Sequence, residues 1–179
     1  MKEIVADLWD LWEAGAWIVV PTNGSIKKNG DAVMGAGVAL QAKRRLPWLP
    51  GDIGTVIATY GNVVLVLGVD HIVTFPVKHD WKQGADLALI EASAKQLLHW
   101  FMDANLNYVE RPETVFLPWV GCGNGGLDTP DVLPVLKKYL DHHFVVVTRW
   151  QDYKPVDVVK ESDIYNPPKS PEPDKVIIF

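Results

Sequence analysis

Residues 17–46 read WIVVPTNGSIKKNGDAVMGAGVALQAKRRL, an apolar, β-branched start, a middle rich in Gly and Asn, and a helix-forming end. The unbroken apolar run at 17–20 suits a strand buried on both faces, and residues 38–46 suit a helix covering it. The alternation recurs. Short apolar runs at 55–58, 63–67, 72–75, 114–117 and 144–147 are expected as further strands, and 85–102 and 132–140 as helices. In the first of these helices Leu87, Ile90, Ala94, Leu97, Leu98 and Phe101 recur at steps of three and four, an apolar stripe beside Glu91, Lys95 and His99. Strands alternating with helices predict an α/β fold with a mostly parallel or mixed sheet and helices on both faces. In such sheets ligands bind where loops leave the carboxyl ends of strands.

The chain has 179 residues, 48% of them hydrophobic, and a formal charge of −5, which describes a globular domain rather than an extended electrostatic binder of nucleic acid. Its single cysteine, Cys122, excludes a disulfide scaffold and a cysteine-based zinc site. His71, His142 and His143 have no partner pattern, and no metal is expected. No apolar stretch is long enough for a membrane helix and no signal pattern opens the chain, so a cytoplasmic protein without membrane association is expected. From residue 151 proline density rises, ending in Asn166-Pro167-Pro168-Lys169-Ser170-Pro171-Glu172-Pro173, and an extended surface tail is expected. The apolar Val176-Ile177-Ile178-Phe179 is expected to dock, as an edge strand or on a partner.

Three loops hold the candidate chemistry. In the first, Gly30, Gly35 and Gly37 precede a helix, an arrangement that lets backbone amides approach an anion; Asn23 and Asn29 could bond sugar hydroxyls or simply take turn conformations. The third loop, 117–127, reads LPWVGCGNGGL, whose glycines free successive amides for an anion nest. Cys122 within it reads either as a nucleophile or as a small buried residue, and no histidine in the loop would activate it. The middle loop, 75–84, places Lys78, His79 and Asp80 in succession after a buried strand. Lys78 is a nucleophile or acid-base candidate if desolvated, and otherwise a surface charge.

Taken together, VVPTNG…AVMGAGVALQAK, TFPVKHDW and LPWVGCGNGGL resemble the macrodomain family, whose members bind ADP-ribose. The MGxGxALQxK, FPxKxxW and GCGNGGLD signatures are most similar to those of DarG-type antitoxin macrodomains, and the likeness spans about residues 1–148. It implies a three-layer α/β/α macrodomain over residues 1–150, with a mixed, mostly parallel central sheet, followed by a tail over 151–179 that is extended or docked on the domain. It implies hydrolysis of ADP-ribosyl linkages, with removal of ADP-ribose from thymidine in DNA and an essential lysine falling on Lys78. Beside that lysine, His79 or Asp80 is expected to assist proton transfer. ADP-ribose is then ligand and product, with no cofactor.

The resemblance also implies contacts. Asp7, beside Leu8, meets the adenine, although Asp7 reads equally as a helix N-cap for residues 8–13. Asn23 and the loop of Gly35, Ala36 and Gly37 hold the distal ribose, and Gly121, Cys122, Gly123, Asn124, Gly125 and Gly126 wrap the diphosphate. Met34, Val38, Pro118 and Leu127 flank these loops as further ligand-binding residues. The sequence departs from the family pattern in an extra Ser25-Ile26-Lys27-Lys28-Asn29 stretch, in Pro21 where many macrodomains have asparagine, and in Asn124-Gly125-Gly126 where related lysine-using hydrolases employ an aspartate, with Asp128 slightly beyond.

A non-catalytic ADP-ribose reader and an ADP-ribose 1″-phosphate phosphatase are the alternative functions. A monomer is expected, with ADP-ribosylated single-stranded DNA or a cognate ADP-ribosyltransferase as partner. Lys27, Lys28, Lys43, Arg44 and Arg45 read as a local basic rim for such a strand or as a solvated face.

Overall fold

The computed structural model describes residues 1–103 and 112–149 and the backbone of 176–178. Its elements, in chain order, are β1 (Lys2–Val5), α1 (Leu8–Glu13), β2 (Trp17–Asn23), α2 (Gly37–Arg45), α3 (Leu49–Tyr60), β3 (Leu65–Leu67), β4 (Ile72–Lys78), α4 (Leu87–Met102), β5 (Val115–Pro118), α5 (Thr129–Tyr139), β6 (Phe144–Thr148) and β7 (Val176–Ile178). The strands form one sheet in the order β1-β6-β5-β2-β4-β3-β7. The pairs from β1 to β4 are parallel, and β3 runs antiparallel to both β4 and β7. The sheet is therefore mixed and mostly parallel, as expected.

Alternation along each strand builds two cores. Trp17, Val19, Val73, Phe75, Val115, Leu117, Phe144 and Val146 meet the side chains of α4 and α5. Ile18, Val20, Ile72, Phe116, Val145 and Val147 point the other way, onto α1, α2 and α3. These three layers explain why the strand runs carry no polar alternation.

One expected strand is absent. Residues 55–58 lie inside α3, where Ile53 and Val56 turn toward the core while the hydroxyls of Thr55 and Thr59 bond back to the carbonyls of Gly51 and Thr55. A β-branched run of this length does not distinguish strand from helix, and Pro50 in the first turn together with burial of one face decides for helix. β1 was not anticipated. Its pairing with β6, from Lys2 opposite Val145 to Val5 opposite Thr148, supplies the edge that its short sequence does not announce. β7 does form the expected edge strand, with Val176 opposite Leu67. The Pro-rich stretch 151–175 lies outside the described residues.

Two prolines shape the sheet's carboxyl edge. Pro21 lies in β2 opposite Phe75, beyond Ile18, where the pairing with β5 ends, so its missing N–H breaks no ladder on that side. Pro76 lies opposite Thr22, and the register then shifts so that Asn23 faces Lys78. The buried Ser93 hydroxyl of α4 donates to the Pro76 carbonyl at 2.8 Å. An irregularity of this kind re-aims the residue that follows, and here that residue is Lys78.

α3 also carries a close backbone approach. A Cβ at Gly54 would fall 1.9 Å from the Gly30 carbonyl oxygen and 2.9 Å from the Ala32 nitrogen, both main-chain atoms. Gly54→Ala is therefore expected to cost roughly 1–3 kcal/mol and to lower the melting temperature by roughly 3–10 °C, measurable in a thermal melt. An unchanged melting temperature would show that the loop over α3 can yield.

Candidate functional site

The parallel strands end on one side of the sheet, and the loops that follow them gather there. Asp7 follows β1, residues 24–36 follow β2, 79–86 follow β4, and 119–128 follow β5. From β1 to β4 there are four strand steps in the order β1-β6-β5-β2-β4, a span of about 19 Å at ~4.8 Å per step. An elongated ligand laid along this edge would meet Asp7 at one end, the glycine loops in the middle and Lys78 at the other.

Asp7 caps α1, its Oδ1 accepting from the Trp9 amide at 2.7 Å, and is itself exposed. The cap engages one carboxylate oxygen, so capping and a ligand contact through the other are compatible. Leu8 and Met34 are buried in the core on the α1 to α3 side, so these two residues can offer a ligand backbone rather than side chain.

The loop after β2 is a small antiparallel hairpin. Ile26 bridges Ala32, the Val33 amide donates to the Ser25 carbonyl, and the Lys27 amide donates to the Asp31 carbonyl at 2.7 Å. The extra Ser25–Asn29 stretch thus forms one arm and the tip of this hairpin. Asn23 fastens its base: Nδ2 donates to the Val33 carbonyl at 2.8 Å and Oδ1 accepts from the Ser25 amide at 3.0 Å. Its amide group is engaged in shaping the loop. Beyond the hairpin, α2 begins at Gly37 without any side-chain cap, leaving a first helical turn that favours an anion.

The loop after β5 folds on itself. The Cys122 amide donates to the Trp119 carbonyl, Gly126 to Gly123 and Leu127 to Gly121. The amides of Gly123, Asn124 and Gly125 take none of these bonds. Gly121 has φ +78°, and a Cβ there would lie 2.8 Å from Ile90 Cδ1. A Cβ at Gly37 would be 3.1 Å from Asn124 Nδ2, so the α2 N-terminus and the glycine loop face each other across a short gap. Trp119 ties the loop to the far strands, its indole N–H reaching Glu3 Oε1 and Thr148 Oγ1, each at 3.0 Å.

Cys122 packs against the core, half-buried, and burial followed by the negative charges of Asp128 and Asp131 raises its thiol to about 11. The buried reading of this residue is the one the surroundings favour. At pH 8 its thiolate fraction, and hence its rate with iodoacetamide, is expected to be roughly two orders of magnitude below that of an ordinary cysteine of pKa ~8.5, measured by mass spectrometry against free cysteine. Labelling at the free-cysteine rate would contradict this environment.

Of the three consecutive polar residues at the end of β4 and just beyond it, Lys78 crosses to the glycine loop. Its Nζ donates to the Asn124 carbonyl oxygen at 2.6 Å, while its own carbonyl accepts from the Gly24 amide at 3.1 Å and from Asn62 Nδ2 at 2.8 Å. His79 turns away to Asp86, at 3.0 Å. That carboxylate is held below its usual range by the Ala88 amide it caps and then by His79. Asp80 accepts from the Ser25 hydroxyl at 3.2 Å and the Lys82 amide at 2.9 Å. Asn62 and Asp86, which orient this corner, gave no signal in the sequence, since each acts through a fold-dependent contact.

Lys43, Arg44 and Arg45 occupy the opposite end of α2, where Arg45 sits 3.7 Å from Glu13 and 4.5 Å from the centre of the Trp9 ring. At the amino end of β6, Asp141, His142 and His143 bring ligand atoms within 4.8 Å of one another, away from these loops. Among the described residues, no helix is long and apolar enough to cross a membrane.

No family model matches the chain. Over 118 residues it is 34% identical to the DNA ADP-ribosyl glycohydrolase of Mycobacterium tuberculosis, a match that takes in 58% of this chain and 30% of that protein. The solved macrodomain of M. tuberculosis DarG superposes with a TM-score of 0.61 and 27% identity, covering 82% of this chain and 97% of that one. The chain has the macrodomain fold and is similar in sequence to DarG-type macrodomains. The macrodomain of Thermus aquaticus DarG is similar to the same degree, with a TM-score of 0.61, 26% identity, and 86% and 97% of the two chains covered. This macrodomain spans about a third of the length of the curated relatives it matches.

Proposed function

We propose that this macrodomain binds ADP-ribose along the carboxyl edge of its sheet and hydrolyses the bond between ADP-ribose and thymidine in DNA, with Lys78 as the reacting side chain. The observation that carries the reading is the position of Lys78 Nζ, 2.6 Å from the Asn124 carbonyl, at the seam between the β4 end and the glycine loop. A diphosphate held by the α2 N-terminus and the amides of residues 123–125 would put its distal ribose beside that amine, and its adenosine toward Asp7. The name of the matching mycobacterial protein, DNA ADP-ribosyl glycohydrolase, supports the reaction class.

Breaking the glycosidic bond builds positive charge on the anomeric carbon. As a free amine, Lys78 attacks that carbon while the bonding electron pair leaves with the base, which takes the proton shed by the new ammonium; the ribosyl-lysine ring opens to an iminium, the species that borohydride reduces, and water then adds to release ADP-ribose and the free amine. As an ammonium, Lys78 instead donates the proton to the departing base while water attacks. Reductive trapping of a protein-bound ADP-ribose separates the two routes. His79 and Asp80, engaged with Asp86 and with Ser25 and Lys82, assist by holding the loop that presents Lys78. A cognate ADP-ribosyltransferase would supply the modified DNA.

The test is calorimetric titration with ADP-ribose beside a release assay on a single-stranded oligonucleotide carrying one ADP-ribosylated thymidine. Binding with release supports the hydrolase. Binding without release makes this a reader, phosphate release from ADP-ribose 1″-phosphate makes it a phosphatase, and absence of binding overturns the site.

A further inference from the structure

We propose that the tip of the 24–33 hairpin and the ring of Trp81 together form the docking surface for the single DNA strand flanking the modified nucleotide, a proposal that rests on the DNA reading above.

The hairpin and the Trp81 loop are joined as one unit beside Lys78. The Ser25 hydroxyl donates to Asp80 Oδ2 at 3.2 Å, the Trp81 amide reaches the same hydroxyl oxygen at 3.1 Å, and the Gly24 amide donates to the Lys78 carbonyl. On this joined surface Trp81 leaves 52% of its area exposed, and Lys82 Nζ lies 5.5 Å from its ring centre. Lys27 and Lys28 are exposed at the hairpin tip, with Ile26 38% exposed beneath them. An exposed indole with Lys82 over its ring, joined through Ser25 and Asp80 to a hairpin that carries two more lysines, is the composition of a stacking platform for a nucleobase and its phosphates.

The nearby acids reduce the positive charge without reversing it: Asp80, which accepts from the Ser25 hydroxyl and the Lys82 amide, and Asp31, 3.9 Å from Lys27, are outnumbered by Lys27, Lys28 and Lys82. On a chain of net charge −5, a cationic patch next to the reacting lysine gives an approaching strand one favourable place to lie. The other basic group, at the end of α2, does not share this surface, and its Arg45 is engaged with Glu13 and Trp9.

The experiment compares ADP-ribosyl-thymidine nucleoside with a nine-nucleotide strand carrying the same modification, following binding by fluorescence anisotropy and turnover by release of ADP-ribose. Wild type is expected to bind the strand at least tenfold more tightly than the nucleoside. Trp81→Ala should lose about tenfold in affinity for the strand and nothing for the nucleoside. Lys27→Ala/Lys28→Ala should flatten the slope of log affinity against log salt by about 1.4 for the strand. The exposed positions should leave the melting temperature unchanged. Equal wild-type affinity for strand and nucleoside, or variants that weaken both alike, would overturn the surface while leaving the glycohydrolase reading intact. A protein that neither binds nor cleaves the nucleoside overturns that reading and the surface with it. A protein that binds without cleaving, but still prefers the strand, retains the surface and loses the hydrolase.

Discussion

Lys78→Ala is expected to lower the rate of ADP-ribose release by about 10²–10⁴-fold while changing the affinity for free ADP-ribose by less than about tenfold. The asymmetry follows from where Lys78 sits. Its backbone is fixed by Gly24 and Asn62, so truncation leaves the strand end in place, and its amine meets the glycine loop through one carbonyl contact. Losing that contact costs binding modestly; losing the reacting group removes the step in which the glycosidic bond breaks. Lys78→Arg separates chemistry from loop support. Arginine keeps the charge and can donate to the Asn124 carbonyl, but it stays protonated and cannot supply an attacking amine. If Lys78 only steadies the loop, arginine restores release. If Lys78 reacts as a free amine, both variants are inactive and borohydride traps ADP-ribose on wild type alone. Full release by Lys78→Ala would remove Lys78 from the mechanism.

Gly125→Ala should weaken ADP-ribose binding by about 100-fold, near 2.7 kcal/mol, with a fall of only a few degrees in melting temperature. A Cβ at Gly125 would fall 2.2 Å from the Gly121 carbonyl oxygen, 2.7 Å from the Gly121 carbonyl carbon and 2.8 Å from Ala85 Cβ. The first two are main-chain atoms of the same loop, so the loop must open rather than a side chain rotate. The Gly125 carbonyl also accepts from the Ala85 amide at 2.8 Å, which couples the opening to the start of α4. Calorimetry on Gly125→Ala checks this. Wild-type affinity in Gly125→Ala would mean that this loop does not hold the diphosphate.

The parts of the fold legible in the sequence were those set by neighbours along the chain. The buried runs at Trp17, Ile72 and Phe144 lack polar alternation because they face a core on each side, and α4 shows its stripe because one face packs on β4. The glycine loops were legible for the same local reason. The run at residues 55–58 misled, since its side chains suit strand or helix and the burial of one face chose between them. β1 was silent because its pairing with β6 lies across nearly the whole chain.

The sequence by itself determined a layered α/β domain with glycine-rich loops at strand ends and a lysine closing the FPxK strand, because periodicity, proline and glycine act within a few residues. Only the tertiary structure decided that Lys78 reaches Asn124, that Asp80 and Ser25 join the hairpin to Trp81, and that Cys122 packs half-buried against the core. Those contacts join residues that strand order, not chain position, brings together, and the burial that raises the Cys122 thiol arises when the helices close over the sheet.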